Sequence, residues 1–219
     1  MKSVLRTAAA TLAAVFIVAG SGMAAAAQAE TLNYTVIRDG KTIGTHAVTI
    51  DQNGAETRVG VETDIAVKVL FVTAYKFKHT SQETWSNGRL VSITSTTDDD
   101  GTPKELNARA ENGRLSVDSK VKGQERRQHA DTTALPASLW NAATVKQSAL
   151  LNTLDGQVMQ IEVEDLGMED LDAGGASLTA RHYAITGELT RELWFDAAGR
   201  LVRMRFPDKT NTEIVYALN

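Results

Sequence analysis

Residues 75–115 read YKFKHTSQETWSNGRLVSITSTTDDDGTPKELNARAENGRL, and this stretch decides the fold. From Tyr75 to Trp85 every second residue falls on one face: Tyr75, Phe77, His79, Ser81, Glu83 and Trp85, against Lys76, Lys78, Thr80, Gln82 and Thr84. A period of two belongs to a β-strand, whose side chains alternate between the two faces of a sheet. The alternation breaks at Asn87-Gly88, at Asp100-Gly101 and at Asn112-Gly113, and resumes each time. A two-residue type I′ hairpin loop needs positive φ at both central residues. Gly adopts that freely, and Asn or Asp tolerates it. The stretch therefore predicts consecutive antiparallel hairpins.

The same punctuation recurs at Asp39-Gly40, Asn53-Gly54 and Asp155-Gly156. Strands are expected at Leu32–Arg38 and Ile43–Ile50, along the alternating run from Arg58 to Val69, and at Val91–Thr97, Lys104–Ala110 and Leu115–Val121. Further strands follow at Val158–Asp165, Leu178–Thr186, Leu189–Phe195, Leu201–Phe206 and Thr212–Leu218, with Gly167–Gly175 as a longer loop. Two places depart from the pattern. At Leu70-Phe71-Val72 the alternation lapses with no Gly or Pro to make a tight turn, which reads as a bend or bulge, a doubly buried strand corner in preference to a membrane-inserting loop. Between Asp131 and Thr153, Leu139, Ala143, Gln147 and Leu150 fit a 3.6-residue period, which predicts one short helix within Ser138–Leu151.

Eleven or twelve short antiparallel strands cannot lie flat, because twist accumulates and open edges invite aggregation. The fold expected is all-β: a strongly curved antiparallel meander forming a closed or half-open barrel with one short helix. The alternative is a two-sheet β-sandwich. An outer-membrane barrel shares the alternation but wants an apolar outward band and aromatic girdles. Aromatic residues make up 5% of this chain, too few for them, so it does not read as an integral membrane protein.

Residues 1–29 carry Lys2 and Arg6, then an apolar run from Ala8 to Ala19, then Ala27-Gln28-Ala29, which fits an A-x-A cleavage site. They read as a signal peptide, leaving residues 30–219 as a single β domain in the periplasm or secreted. Cysteine is absent, so neither disulfides nor a lipid-modified N-terminal Cys are available. Removing Lys2 and Arg6 takes the formal charge from −4 to −6. That balance argues against nucleic acid and anionic membranes as partners.

The chain is sparing with chemistry. His46, His79, His129 and His182 have no ligand-type spacing, so no metal is called for. Asp98-Asp99-Asp100-Gly101 lacks the spaced ligands of a calcium loop, and no nucleophile elbow or phosphate-cradling loop appears; no cofactor is implied. His79 and Glu83 share a strand face but lie about 13 Å apart, too far for a direct acid–base pair. The plainer reading of their face is a polar outer face with aromatics at its ends. The sharper one is a cavity wall that holds a mostly apolar ligand, with Tyr75, Phe77, His79 and Trp85 as the contacts. Ser138, Trp140 and Asn141 offer a ring and two polar groups at the expected strand-to-helix junction. The plainer reading there is that Ser138 caps the helix and Trp140 fills the core.

Three stretches, Tyr34–Thr45, Leu139-Trp140-Asn141 and Leu193–Val202, together with the runs Ala66–Phe71 and Thr97–Gly101, resemble an uncharacterised group of exported bacterial β-proteins, a domain-of-unknown-function family. The resemblance implies an exported curved sheet and no particular activity. Taken together, the sequence points to a cell-envelope binding protein that holds a lipid-like or other hydrophobic small molecule, or a segment of an envelope protein. A hydrolase using strand-borne carboxylate or His residues, and a structural or assembly subunit, are the alternatives.

Overall fold

The computed structural model describes residues 28–173 and 176–219. Residues 1–27, most of the predicted signal peptide, lie outside the described residues, and the predicted start at Glu30 falls two residues inside the first strand. Fifteen strands form one sheet. They are β1 (Gln28–Arg38), β2 (Lys41–Asn53), β3 (Glu56–Val69), β4 (Val72–Ser86), β5 (Arg89–Asp99), β6 (Thr102–Glu111), β7 (Arg114–Val121) and β8 (Gln124–Asp131), then β9 (Leu135–Pro136), β10 (Ala149–Leu151), β11 (Val158–Ala173), β12 (Ala176–Gly187), β13 (Arg191–Phe195), β14 (Leu201–Pro207) and β15 (Glu213–Leu218). Their spatial order is β8 to β1 followed by β15 to β9, so the first and last strands pair at the centre. All pairs are antiparallel except β9–β10. The two edges, β8 and β9, are joined by only Thr132, Thr133 and Ala134 but are not paired with each other, and the barrel is half open.

Four of the predicted turns have the expected geometry. At Asp39-Gly40, Asn87-Gly88, Asp100-Gly101 and Asn112-Gly113, φ is +50° to +52° at the Asx and +69° to +79° at the Gly. Asn53 instead ends β2, and Gly54-Ala55 make the turn. Asp155-Gly156 lies in a longer loop, Asn152 to Gln157, that joins the antiparallel strands β10 and β11 and is closed by Asn152 N–H donating to Gln157 O at 2.8 Å. Gly156 enters the barrel interior, where a Cβ would come within 2.6 Å of Val117 Cγ1 and 2.8 Å of Leu106 Cδ1.

Three sequence expectations are corrected. The helix within Ser138–Leu151 is a five-residue 3-10 turn, Ala142–Lys146, followed by the strand β10. Its cap is Asn141, whose Oδ1 accepts the Ala143 N–H at 2.9 Å, and not Ser138. β-branched Thr144 and Val145 disfavour a longer helix, and the consecutive fully buried Leu150 and Leu151 suit a short strand covered on both faces. Leu70-Phe71 is the two-residue turn of the β3–β4 hairpin, not a buried corner: Leu70, Phe71 and Val72 are 89%, 101% and 69% exposed. Gly167 to Ala173 continues β11 beyond a bulge at Asp165–Gly167, so the expected loop is the far half of the β11–β12 hairpin. The short strands β9 and β10, and the charged edge strand β8, bring the count to fifteen.

The concave side holds the main core. Val59, Ile93, Leu115, Val117, Leu150, Leu151 and Leu193 are fully or almost fully buried there. Residues 153–156 lie in this hollow against β5 to β8: Ser95 Oγ donates to Thr153 O at 2.5 Å, Gln128 Nε2 donates to Gly156 O, and Gly156 packs against Leu106 and Val117. The convex face of β3 to β6 is polar and exposed, with Glu62, Lys78, Thr80, Thr96 and Glu105 outward. Among the described residues no helix is long and apolar enough to cross a membrane.

Candidate functional site

The inward face of β4 organises the interior into two levels. Registry across β1 to β6 places Tyr34, His46, Thr63, His79, Thr97 and Lys104 in one row perpendicular to the strands. Two rows away, Ile50, Val59, Glu83 and Ile93 form another.

Glu83 lies at the deeper level and is 1% exposed. Its Oε2 accepts Trp85 Nε1–H at 2.9 Å and Trp140 Nε1–H at 3.0 Å, and the two indoles meet edge to face with centroids 5.7 Å apart. Ser138 lies beside the same carboxyl, although Oε1 makes no well-formed hydrogen bond. Burial drives the Glu83 carboxyl toward its neutral form, and the donors from Ser138, Trp140 and Trp85 pull only partly the other way. Ser138, Trp140 and Trp85 are thus gathered round one carboxyl. Their polar tips face inward and fasten residues 138–141 to β4, while Asn141 caps the 3-10 turn.

The shallower level is built of paired polar groups. His46 Nδ1 bonds Thr63 Oγ1 at 2.8 Å and His79 Nδ1 bonds Thr97 Oγ1 at 2.8 Å. Both imidazoles are pushed down to about 4, His46 by burial and the nearby His79, and His79 by burial. Nearer the rim, Tyr75 OH donates to Asp99 Oδ1 at 2.8 Å and Lys104 Nζ pairs with Asp99 Oδ2 at 2.9 Å. Burial and the hydrogen bond to Asp99 raise the phenol of Tyr75. Burial pushes the Asp99 carboxyl up, but the bonds from Lys104 and Tyr75 outweigh it and keep it ionised. Phe77, half buried, stacks on His79 at 6.3 Å. Tyr75, Phe77 and His79 therefore stand together at one rim, apart from the Trp85–Trp140 group.

At that rim the β3–β4 hairpin parts from its neighbours. The last β3 residue paired with β2 is Ile65, and β5 meets β4 no further than Lys76 and Phe77. Beyond, the two strands pair only with each other, out to Val69 opposite Val72. Leu70 takes φ +55°, a costly conformation for a branched side chain.

A third group, not singled out in the sequence, lies on the convex face. His182 of β12 stacks on Trp194 of β13 with centroids 4.0 Å apart and a 14° interplanar angle. Its Nδ1 is 3.0 Å from Glu169 Oε2 and its Nε2 is 2.9 Å from Glu192 Oε2. Trp194 Nε1 donates to the same Glu169 oxygen at 2.8 Å, and Arg203 and Arg205 lie over the indole. Below this polar lid, Leu171, Ala180, Trp194 and Val202 form a separate small core. With both ring nitrogens committed to carboxylates, His182 has no free nitrogen to act as a base. Among the described residues no group of three or more His, Cys, Asp or Glu has the arrangement of a metal site.

This architecture defines a β-barrel-like protein with an open sheet. It aligns with a crystal structure from Brucella abortus, described as a β-barrel-like protein of the domain of unknown function DUF1849, at a TM-score of 0.58 and 10% identity, covering 86% of this chain and 94% of that one. The chain belongs to the family of the domain of unknown function DUF6134, whose profile matches residues 34–219. No curated protein matches the sequence.

Proposed function

We propose that this is a binding protein of the cell envelope, exported by the segment 1–29, that holds an apolar or amphiphilic ligand or partner segment at the rim of its curved sheet. The observation that carries this reading is the β3–β4 tip: three consecutive apolar side chains stand in solvent, at the same rim as the half-buried Tyr75 and Phe77. Leaving such a group exposed costs solubility, and contiguous exposed apolar surface marks interaction sites. Tyr75, Phe77 and His79 are the ligand-side residues in this reading. Trp85, Ser138, Trp140 and Asn141 hold the segment that fills the deeper level.

The test is binding of an apolar reporter. Fluorescence of 1-anilinonaphthalene-8-sulfonate should rise on adding the folded protein and fall back for Leu70→Ser/Phe71→Ser. Equal signal from both proteins, or none from either, would overturn the proposal. Fractionation of cells expressing the full chain tests the location: recovery in the cytoplasm would refute export.

A further inference from the structure

The β3–β4 finger carries an inference about its partner, one that rests on the binding role proposed above. We infer that the finger is an interfacial anchor that dips Leu70, Phe71 and Val72 into a phospholipid bilayer, with Lys68 and Lys76 at the level of the headgroups.

Geometry comes first. From Ile65, the last residue of β3 paired to β2, to the turn at Leu70-Phe71 is five residues, roughly 15 Å of extended chain. The tip stands well beyond the β5–β6 turn at Asp100-Gly101. On its other side the β1–β2 hairpin runs on past Gly44 to its own turn at Asp39-Gly40, so the two hairpins share the outer part of this rim. The apolar area of the tip is also informative. Three side chains offer far less than the ~800 Å² per partner that a standard protein–protein interface buries. Of the residues just behind them whose side chains are described, Lys68, Thr73 and Ala74 are exposed and two of the three are polar, so polar groups collar the tip. A narrow apolar tip with a polar collar suits shallow insertion, about 5–10 Å deep, better than it suits a protein surface.

Charge agrees with this arrangement. Lys68 is opposite Thr73, two residues behind the tip, which is about 7 Å. Lys76 is opposite Ala66, further back. Neither has an ion-pair partner among the described residues, whereas Lys78, next along the same face, is held by Asp64 at 3.1 Å. Long lysine side chains can extend along the finger and place their ammonium groups among lipid phosphates. The acidic turn residue Asp100 lies near the base of the finger, beyond the ~8 Å Debye length at physiological salt from the tip, and Asp39, on the neighbouring turn, has Lys41 two residues from it. The formal charge of the whole chain therefore does not decide the encounter; the finger does.

The experiment is vesicle flotation of the purified protein with phosphatidylcholine alone and with phosphatidylcholine:phosphatidylglycerol, three to one. The protein should float with the mixed vesicles. Leu70→Ser/Phe71→Ser should lower the bound fraction about tenfold or more, the scale expected for losing two inserted apolar side chains. Lys68→Ala/Lys76→Ala should weaken binding several-fold and remove the preference for phosphatidylglycerol. In a Phe71→Trp variant the added indole emission should shift to the blue with vesicles. Failure of the wild-type protein to float with either vesicle, or flotation unchanged by the tip substitutions, would overturn the anchor. If dye binding at the tip persisted in that case, the binding role would stand and its partner would be a protein. Loss of both would remove the binding role as well.

Discussion

Two hairpins reach beyond the body of the barrel, and they have opposite fates. The β11–β12 hairpin has Leu171 and Ala180 packed with Trp194 and Val202 on the convex face, under His182, Glu169 and Glu192. The β3–β4 hairpin leaves its tip standing free with Leu70 and Phe71 in water. An isolated two-stranded hairpin is marginal in water. The first is stabilised by the sheet it lies on. The second has the composition of a docked hairpin, and among the described residues nothing covers its tip. The difference teaches that the same strand-pair architecture can be covered or left bare, and that among the described residues one of these two is covered.

The largest effect should come from undoing the docked hairpin. Trp194→Ala removes a fully buried indole, and should cost about 3–5 kcal/mol in chemical denaturation. Hydrogen exchange should show protection lost along β11 and the first half of β12 while the finger is unaltered.

Acid should separate the two hairpins next. His46 and His79 have pKa values of about 4 against an ordinary 6.5, so their contribution is complete above pH 6.5 and is lost as pH falls from there toward 4. Each imidazole takes away stability at up to about 1.4 kcal/mol per pH unit across that window. Glu83, raised by burial, opposes this, because a raised carboxyl stabilises the acidic side and loses its contribution as pH rises. Exchange at pH 5 should open the root of the finger around His79 before the β11–β12 hairpin, where Arg205 and His182 outweigh the burial of Glu192 and keep it ionised.

Gly156→Ala should cost about 1–3 kcal/mol by overpacking against Val117 and Leu106, with no change at either hairpin. At the finger itself, Leu70→Gly should stabilise by about 0.5–1 kcal/mol, because glycine relieves the left-handed φ. Leu70→Ser/Phe71→Ser should leave stability within about 0.5 kcal/mol of the wild type. A large loss there, measured by thermal melting, would mean that the tip packs inside the molecule and would end the contrast between the hairpins.

Much of the sheet was legible because alternation and Asx-Gly pairs are local signals. The residues that share the face from Tyr75 to Trp85 are legible in the alternation, but its direction is not. His79, Ser81 and Glu83 make it look like a polar outer face, and it is buried inward. What failed was non-local. Nothing in the pair Leu70-Phe71 announces a turn, since a branched side chain rarely accepts positive φ. β8 was passed over because Glu125, Arg126 and Arg127 look like a solvated loop, yet charges on an edge strand guard it against further pairing. Its turn, Lys122-Gly123, has the backbone of the Asx-Gly turns, with φ of +51° and +81°. The site was only half visible. Trp140 was noticed, but its partner Glu83 is 57 residues away, and no local pattern tells a buried Glu in an alternating strand from a wet one. The His182 group is assembled from β11, β12, β13 and β14, so its members have no shared spacing to detect.

The three-residue link from β8 to β9 has a consequence for how the chain acquires its shape. Strands β1 to β8, and β10 to β15, are meanders of near neighbours, with β9 added to β10 in parallel, so each half can form from contacts that are close in sequence. The pairing of β1 with β15, Tyr34 opposite Leu218, spans nearly the whole chain and must wait for both halves. Such distant closures slow folding, because loop entropy is lost before the contact rewards it. Joining β15 to β1 by a short linker and opening the chain at Thr132-Thr133 would turn this most distant pairing into a local one. That circular permutant should fold faster than the natural order while ending in the same sheet.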